Sequence, residues 1–268
     1  MEIPVFQVDA FTKVLFGGNP AAVCPLSSWL PDDILQNIAA ENNLSETAFW
    51  VPRKDHYHLR WFTPTAEVDL CGHATLASAH VLFSELGYDK SEVRFWSKSG
   101  FLSVKKDGEA YVLDFPADTP HPVACPEVLS EALQIPILNC VKGRDDLLVQ
   151  TDSEDSVRQV APDFGRLKKL PVRGVIVTAM GASADFVSRC FYPAYGINED
   201  PVTGSAHTLL TPFWANITGK KSFIARQISA RGGHLQCKLE GDRVFIGGGA
   251  KTFLKGHIYL DKNDPKSA

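Results

Sequence analysis

FTPTAEVDLCGHATL, starting at Phe62, and FYPAYGINEDPVTGSAHTLL, starting at Phe191, decide how this chain is built. Each opens on F-x-P at an aromatic strand end. Each runs to a glycine and then into small, apolar residues at helical spacing. Gly72 and Gly204 lie 132 residues apart. Downstream, SGFLSVKKDGEAYVL from Ser99 resembles GGHLQCKLEGDRVFI from Gly232, and there Gly108 and Gly241 lie 133 apart. Two similar segments in one order, at nearly one offset, predict a duplicated fold.

Working outward, the first half reads as strands PVFQVDAF, AAVCPL, ETAFWV and HLRWFT, rich in aromatic and β-branched residues. A helix is expected over PDDILQNIAAENN, with Pro31 at its start and two acids in its first turn. HATLASAHVLFSEL is apolar nearly all round, the mark of a buried helix, and Gly87 follows as its stop. VRFWSKS, FLSVKK and AYVLDF complete the half as strands, with a hairpin turn at Asp107-Gly108. The second half repeats the plan. CPEVLSEALQI and SVRQVAPDFGRLKKL read as helices, the latter interrupted at Pro162. RGVIVTAM and ADFVSRCFY read as strands, and SAHTLLTPFWANIT as a second buried helix that Pro212 is expected to kink or loosen. The fold class is therefore α+β, each half a mostly antiparallel sheet curled around one helix. The proline-rich FPADTPHPVACP, Phe115 to Pro126, joins a half spanning residues 1–118 to one spanning 119–255. Residues 261–268, DKNDPKSA, are expected to form a disordered tail.

The chain has 268 residues, a net charge of −4 and no basic patch, which argues against nucleic acid or an anionic membrane surface as partner. MEIPVFQVDAF lacks the basic start and unbroken apolar run of a secretory signal. No apolar stretch approaches the roughly 20 residues that span a bilayer. The six cysteines are scattered without a CxxC pair and read as reduced thiols of a cytoplasmic protein.

In both halves a strand ends, a glycine turn follows and a buried helix begins. Free N–H groups and the positive dipole end make such a turn an anion site. If the halves face each other, two such turns suit a small carboxylate. Glu46 stands at a strand start among Leu44, Ala48, Phe49 and Trp50, where apolar surroundings would raise its pKa for acid/base work; the plain alternative is an exposed strand glutamate. At the offset that aligns Phe62 with Phe191, Glu46 falls opposite Val175, so the second half offers no matching acid. Asp200 and Ser205 precede the second buried helix, as substrate ligands or as a turn former and an N-cap. Cys71 and His73 as a metal pair would need His80, His207 or Cys190, none at characteristic spacing, so no metal is expected. Neither nucleotide-binding glycine motif is present. ARGGHL is a weak candidate for a close backbone or for Arg231 near the site.

GGNPAAV, NLSETAF, FTPTAEVDLCGHATLA, EDPVTGSAH and ARGG, in this order along nearly the whole chain, resemble the PhzF family of phenazine-biosynthesis isomerase-like proteins. Its vertebrate members, the phenazine biosynthesis-like domain-containing proteins, are expected to be nearest. The resemblance implies a diaminopimelate epimerase-like fold of two pseudo-symmetric halves, each a mostly antiparallel barrel around a central helix, with the site in the cleft between them. It also implies that a C-terminal strand, residues 256–260, crosses back to the first half. The implied activity is a cofactor-free isomerisation that moves a proton on a small cyclic amino acid by means of one glutamate. Carried over by position, that glutamate is Glu46, assisted by His73, Asp200 and Ser205. Gly72, Gly204, Asn19, Cys71 and Thr203 would line the substrate. A homodimer is a family-level expectation. The racemases of this fold use two thiols, one at each helix start. Cys71 holds the first position, but Thr203 holds the second and cannot supply a thiolate. A non-catalytic small-molecule-binding or adaptor role on the same fold is the remaining alternative, since the physiological substrate does not carry over with the family.

Overall fold

The computed structural model describes residues 1–260, and the expected tail, residues 261–268, lies outside the described residues. The chain divides into two units: Met1–Asp114 together with the chain from Gly247 onward, and Phe115–Ile246.

In the first unit, strand Asn19–Pro25 runs parallel to Glu46–Pro52, which pairs antiparallel with Tyr57–Phe62. Tyr57–Phe62 is parallel to Glu92–Ser97, which is antiparallel to Gly100–Asp107. In the second unit, Asp146–Gln150 is parallel to Gly174–Met180, which pairs antiparallel with Phe186–Tyr192. Phe186–Tyr192 is parallel to Ser222–Gln227, which is antiparallel to Gly233–Glu240. The order of parallel and antiparallel pairings is the same, so the duplication read from two turns extends to the hydrogen-bonded plan. A parallel pair needs a crossover, usually helical. Asp32–Asn42 and Gly72–His80 supply them in the first unit; Glu154–Gln159 with Phe164–Leu167, and Ala206–Thr218, do so in the second. The break between Gln159 and Phe164 falls at the expected Pro162.

All nine residues of helix Gly72–His80 are buried. The helix packs on Glu2–Ala10, Asn19–Pro25 and Glu46–Pro52 and also on Gly100–Asp107, strands far apart in sheet order, so the sheet curls around it. Its hydroxyls cause no penalty, because Thr75 donates to the Cys71 carbonyl (2.6 Å) and Ser78 to the Ala74 carbonyl (2.8 Å). The helix then widens into a π turn over Val81–Glu85, closed by Leu86 N–H to the Val81 carbonyl at 3.0 Å. Gly87, at φ +69°, follows. The last strand, Ala250–Tyr259, pairs antiparallel with Glu2–Ala10, ten residues rather than the five expected of it.

Helix Ala206–Thr218 packs on both Asp146–Gln150 and Gly233–Glu240 of its own unit. Pro212 does not end it. A proline removes the N–H that would bond the carbonyl four residues back, here Thr208. That carbonyl instead accepts the Asp118 N–H at 3.1 Å, so the segment after Phe115 is fastened at the point the proline opens. The helix thus continues where the sequence suggested a kink. Among the described residues, no helix is long and apolar enough to cross a membrane.

Candidate functional site

Three elements of the first unit meet at the start of helix Gly72–His80. Asn19 and Glu46 are the first residues of neighbouring parallel strands, and His73 is the second residue of the helix. His73 and Cys71 are buried, and Asn19 is wholly so. Glu46 Oε2 lies 3.1 Å from His73 Nε2. The two atoms form an acid–imidazole pair, and among the described residues neither has another hydrogen-bond partner. On the other edge of the ring, Nδ1 lies 3.3 Å from Asn19 Nδ2 and 3.5 Å from Cys71 Sγ. Ser45 donates to Asn19 Oδ1 at 3.2 Å and holds that amide.

Burial opposes a charge on His73, but the negative charge available on Cys71 and Glu46 outweighs it and lifts the imidazole pKa well above its usual value. Burial pushes the Cys71 thiol up to about 11, with the Glu46 charge adding to the effect. Burial works against ionising the thiol, and the imidazole beside it works the other way. The apolar pocket expected for Glu46 is in fact a pocket with a histidine at its mouth. Sequence spacing gave no sign of this, because 27 residues separate the pair.

The second unit builds its helix start differently. Asp200 ends strand Ile197–Asp200 and accepts a hydrogen bond from the Thr203 hydroxyl. Gln227, fully buried at the end of Ser222–Gln227, binds the turn at three points. Its oxygen accepts Thr203 N–H (2.8 Å), and its amide donates to the Asp200 carbonyl (2.7 Å) and Thr203 Oγ1 (3.3 Å). Both Thr203 donors are consumed inside the protein, so Thr203 shapes the turn rather than offering them to a ligand. Ser205 is not a side-chain N-cap. Its oxygen accepts from Arg173 at 3.3 Å, and Arg173 is itself paired to the buried Asp146. Gly233 of the ARGG motif lies where a Cβ would come within 2.3 Å of Val202, so the close backbone suggested there is real. Gln227, Arg173 and Asp146 escaped the sequence reading, since no motif marks them. Their signal is positional: Arg173 precedes its strand as Ser45 precedes Glu46.

Strand register refines the repeat. Thr47 faces Phe62 and Val175 faces Phe191, so the counterpart of Glu46 is Gly174, not Val175. The second hairpin is one residue longer than a constant offset assumes. A Cβ on Gly174 would lie 2.2 Å from the Tyr192 ring, which fills the place of an acid. The Thr203 position holds no thiol. Cys190 interacts with Thr203 and Asp200, yet burial, with the Asp200 charge, holds its pKa well above the usual thiol value.

A family described as phenazine biosynthesis-like protein (PhzC-PhzF) matches residues 8–256. An "uncharacterized isomerase" of Pseudomonas aeruginosa is 54% identical, over 97% of this chain and 100% of that one. Phenazine biosynthesis-like domain-containing protein 2 of mouse is 43% identical, over 96% and 99%. The bacterial relative thus shares more than the vertebrate one, against expectation. The crystal structure of a PhzF family protein of Enterococcus faecalis superposes with a TM-score of 0.95 at 49% identity, over 97% and 100%. A probable proline racemase from Agrobacterium radiobacter shares the fold alone, at 12% identity and a TM-score of 0.64, over 98% and 94%.

Proposed function

The chain belongs to the phenazine biosynthesis-like (PhzF) family and is an isomerase of that family, and we propose that it moves a proton on a small cyclic amino acid-like carboxylate with Glu46 as its single base and no cofactor. The observation that carries this reading is the buried Glu46–His73 contact at a helix start. Proton transfer between two carbons of one substrate needs a group that takes a proton, keeps it and returns it. The Glu46 carboxylate lies beside the His73 ring and is placed on one fixed strand end. It removes a proton from a carbon activated by conjugation and returns it to another carbon on the same face. One base suffices, and Gly174 at the corresponding position of the second unit agrees with that.

His73, in contact with the Glu46 carboxylate, orients it for the transfer. In the second unit, Asp200 and Ser205 stand at the corresponding turn as substrate ligands of that turn. Ser205 accepts from Arg173, so its own proton is left to donate, which suits a carboxylate or carbonyl oxygen. The Asp200 carboxylate, oriented by Thr203, suits an amine. The amides at the helix start behind Gly72 suit the substrate carboxylate. Against a substrate with demonstrated turnover, Glu46→Gln keeps the shape and removes the base. A kcat within a few-fold of the wild type would refute the single-base reading.

A further inference from the structure

Five of the six cysteines are buried, and Cys125 is only partly so. It stands near the end of the proline-rich segment Phe115–Pro126, just before helix Glu127–Leu133. Its sulfur lies 3.6 Å from the Ser130 hydroxyl and donates to the Pro126 carbonyl at 3.7 Å. A second thiol is beside it. Strand His121–Pro122 pairs antiparallel with Asn139–Lys142, and the Val123 N–H donates to the Cys140 carbonyl at 3.1 Å. The chain therefore reaches Cys140 two residues before Cys125. Cys125 packs against the core cluster that contains Cys140, and the two side chains hydrogen-bond to each other. Two thiols in contact, one of them open to solvent, have a chemistry that a lone buried thiol lacks.

We propose that Cys125 and Cys140 form a modification site, a dithiol that a hydroperoxide converts into a disulfide. Cys125, the partly exposed member, meets the oxidant. Its thiolate attacks a peroxide oxygen, an S–O bond forms as the O–O bond breaks, and Cys125 becomes a sulfenic acid with release of one water. The Cys140 sulfur then attacks the Cys125 sulfur. An S–S bond replaces the S–O bond, and the departing hydroxide takes the Cys140 proton as a second water. Two thiols lose two electrons, and one peroxide gains them. Burial, and then the charge and hydrogen bond of Cys125, push the Cys140 thiol up to about 12, so Cys140 is the slower of the two toward an oxidant. Oxidation of Cys125 removes that neighbouring charge, which frees Cys140 to attack. The bond closes a loop that carries helix Glu127–Leu133 and fastens the end of the proline-rich segment to strand Asn139–Lys142. It restricts the unfolded chain, so the oxidised protein is the more stable form. The site lies wholly in the second unit and is independent of the role of Glu46.

Treating the reduced full-length protein with a small excess of hydrogen peroxide, then counting thiols in denaturant, tests the site without any substrate. The count is expected to fall by two from six. The intact mass falls by two hydrogens, a tryptic map joins the Cys125 peptide to the Cys140 peptide, and dithiothreitol reverses both. The thermal unfolding midpoint of the oxidised protein rises by roughly 3–10 °C. Cys140→Ser forms no crosslink and carries a sulfenic acid on Cys125 that a dimedone probe labels. Cys125→Ser forms no crosslink and loses thiols at least about tenfold more slowly than the wild type. Unfolding curves of the reduced variants check that they fold. A crosslink between any other pair, added oxygen in place of a crosslink, an unchanged midpoint, no dimedone label on Cys140→Ser, or equal rates of thiol loss in the wild type and Cys125→Ser overturns the proposal.

Discussion

The two helix starts are the same piece of architecture put to different uses. Cys71-Gly72-His73 and Thr203-Gly204-Ser205 each follow a short strand and open a buried helix. At the first, the side chains are ionisable and face one another: a carboxylate, an imidazolium and a thiol. At the second, a buried glutamine and an arginine pair hold a threonine, an aspartate and a serine in fixed directions. Duplication supplied two similar scaffolds, and only the first sets a carboxylate directly against an imidazole. The other became a rigid holder, since each side chain there has a partner that fixes its orientation.

The comparison breaks most visibly at Glu46. Glu46→Gln should lower kcat about a hundredfold to ten-thousandfold in a turnover assay, the range for a lost general base. The buried histidines of the two helices also divide into two pH responses. Burial holds His80, at the end of the first helix, and His207, inside the second, down to about 4. The unfolded chain binds those protons from about pH 6.5 downward, while the folded chain resists them until about 4. Stability should therefore fall across that window by up to about 3 kcal/mol for each, and urea unfolding of His207→Gln should show a flatter acid side. His73 behaves oppositely. Its raised pKa makes its contribution fully present below about 6.5, and it is lost as pH rises through the folded value. His73→Gln should flatten the alkaline side only.

Smaller effects sharpen the contrast. Gly174→Ala presses a methyl into the buried Tyr192 ring and should cost about 1–3 kcal/mol by chemical denaturation. Gln227→Leu and Thr203→Val should each lower kcat/KM about tenfold without touching a base, because they free Asp200 to turn, and Thr203→Ser should restore most of the loss. If Gln227→Leu leaves kcat/KM unchanged, the second turn is not a rigid holder.

The sequence alone determined the duplication, the two buried helices, the family and the residues of both turns. These are local facts, carried by apolar periodicity, by turn glycines and by motif order, all visible within about twenty residues. The tertiary structure decided what those residues face. Glu46 looked like a carboxylate among apolar neighbours until a helix start brought His73 to it. Thr203 shows no partner in the sequence, and in the structure Gln227, from a distant strand, accepts its N–H while Asp200 accepts its hydroxyl. Pro212 leaves the Thr208 carbonyl without its helical bond, and Asp118 fills that place. In each case a polar atom's partner lies on another element, and a linear sequence records neither the distance nor the direction on which a hydrogen bond or an ion pair depends.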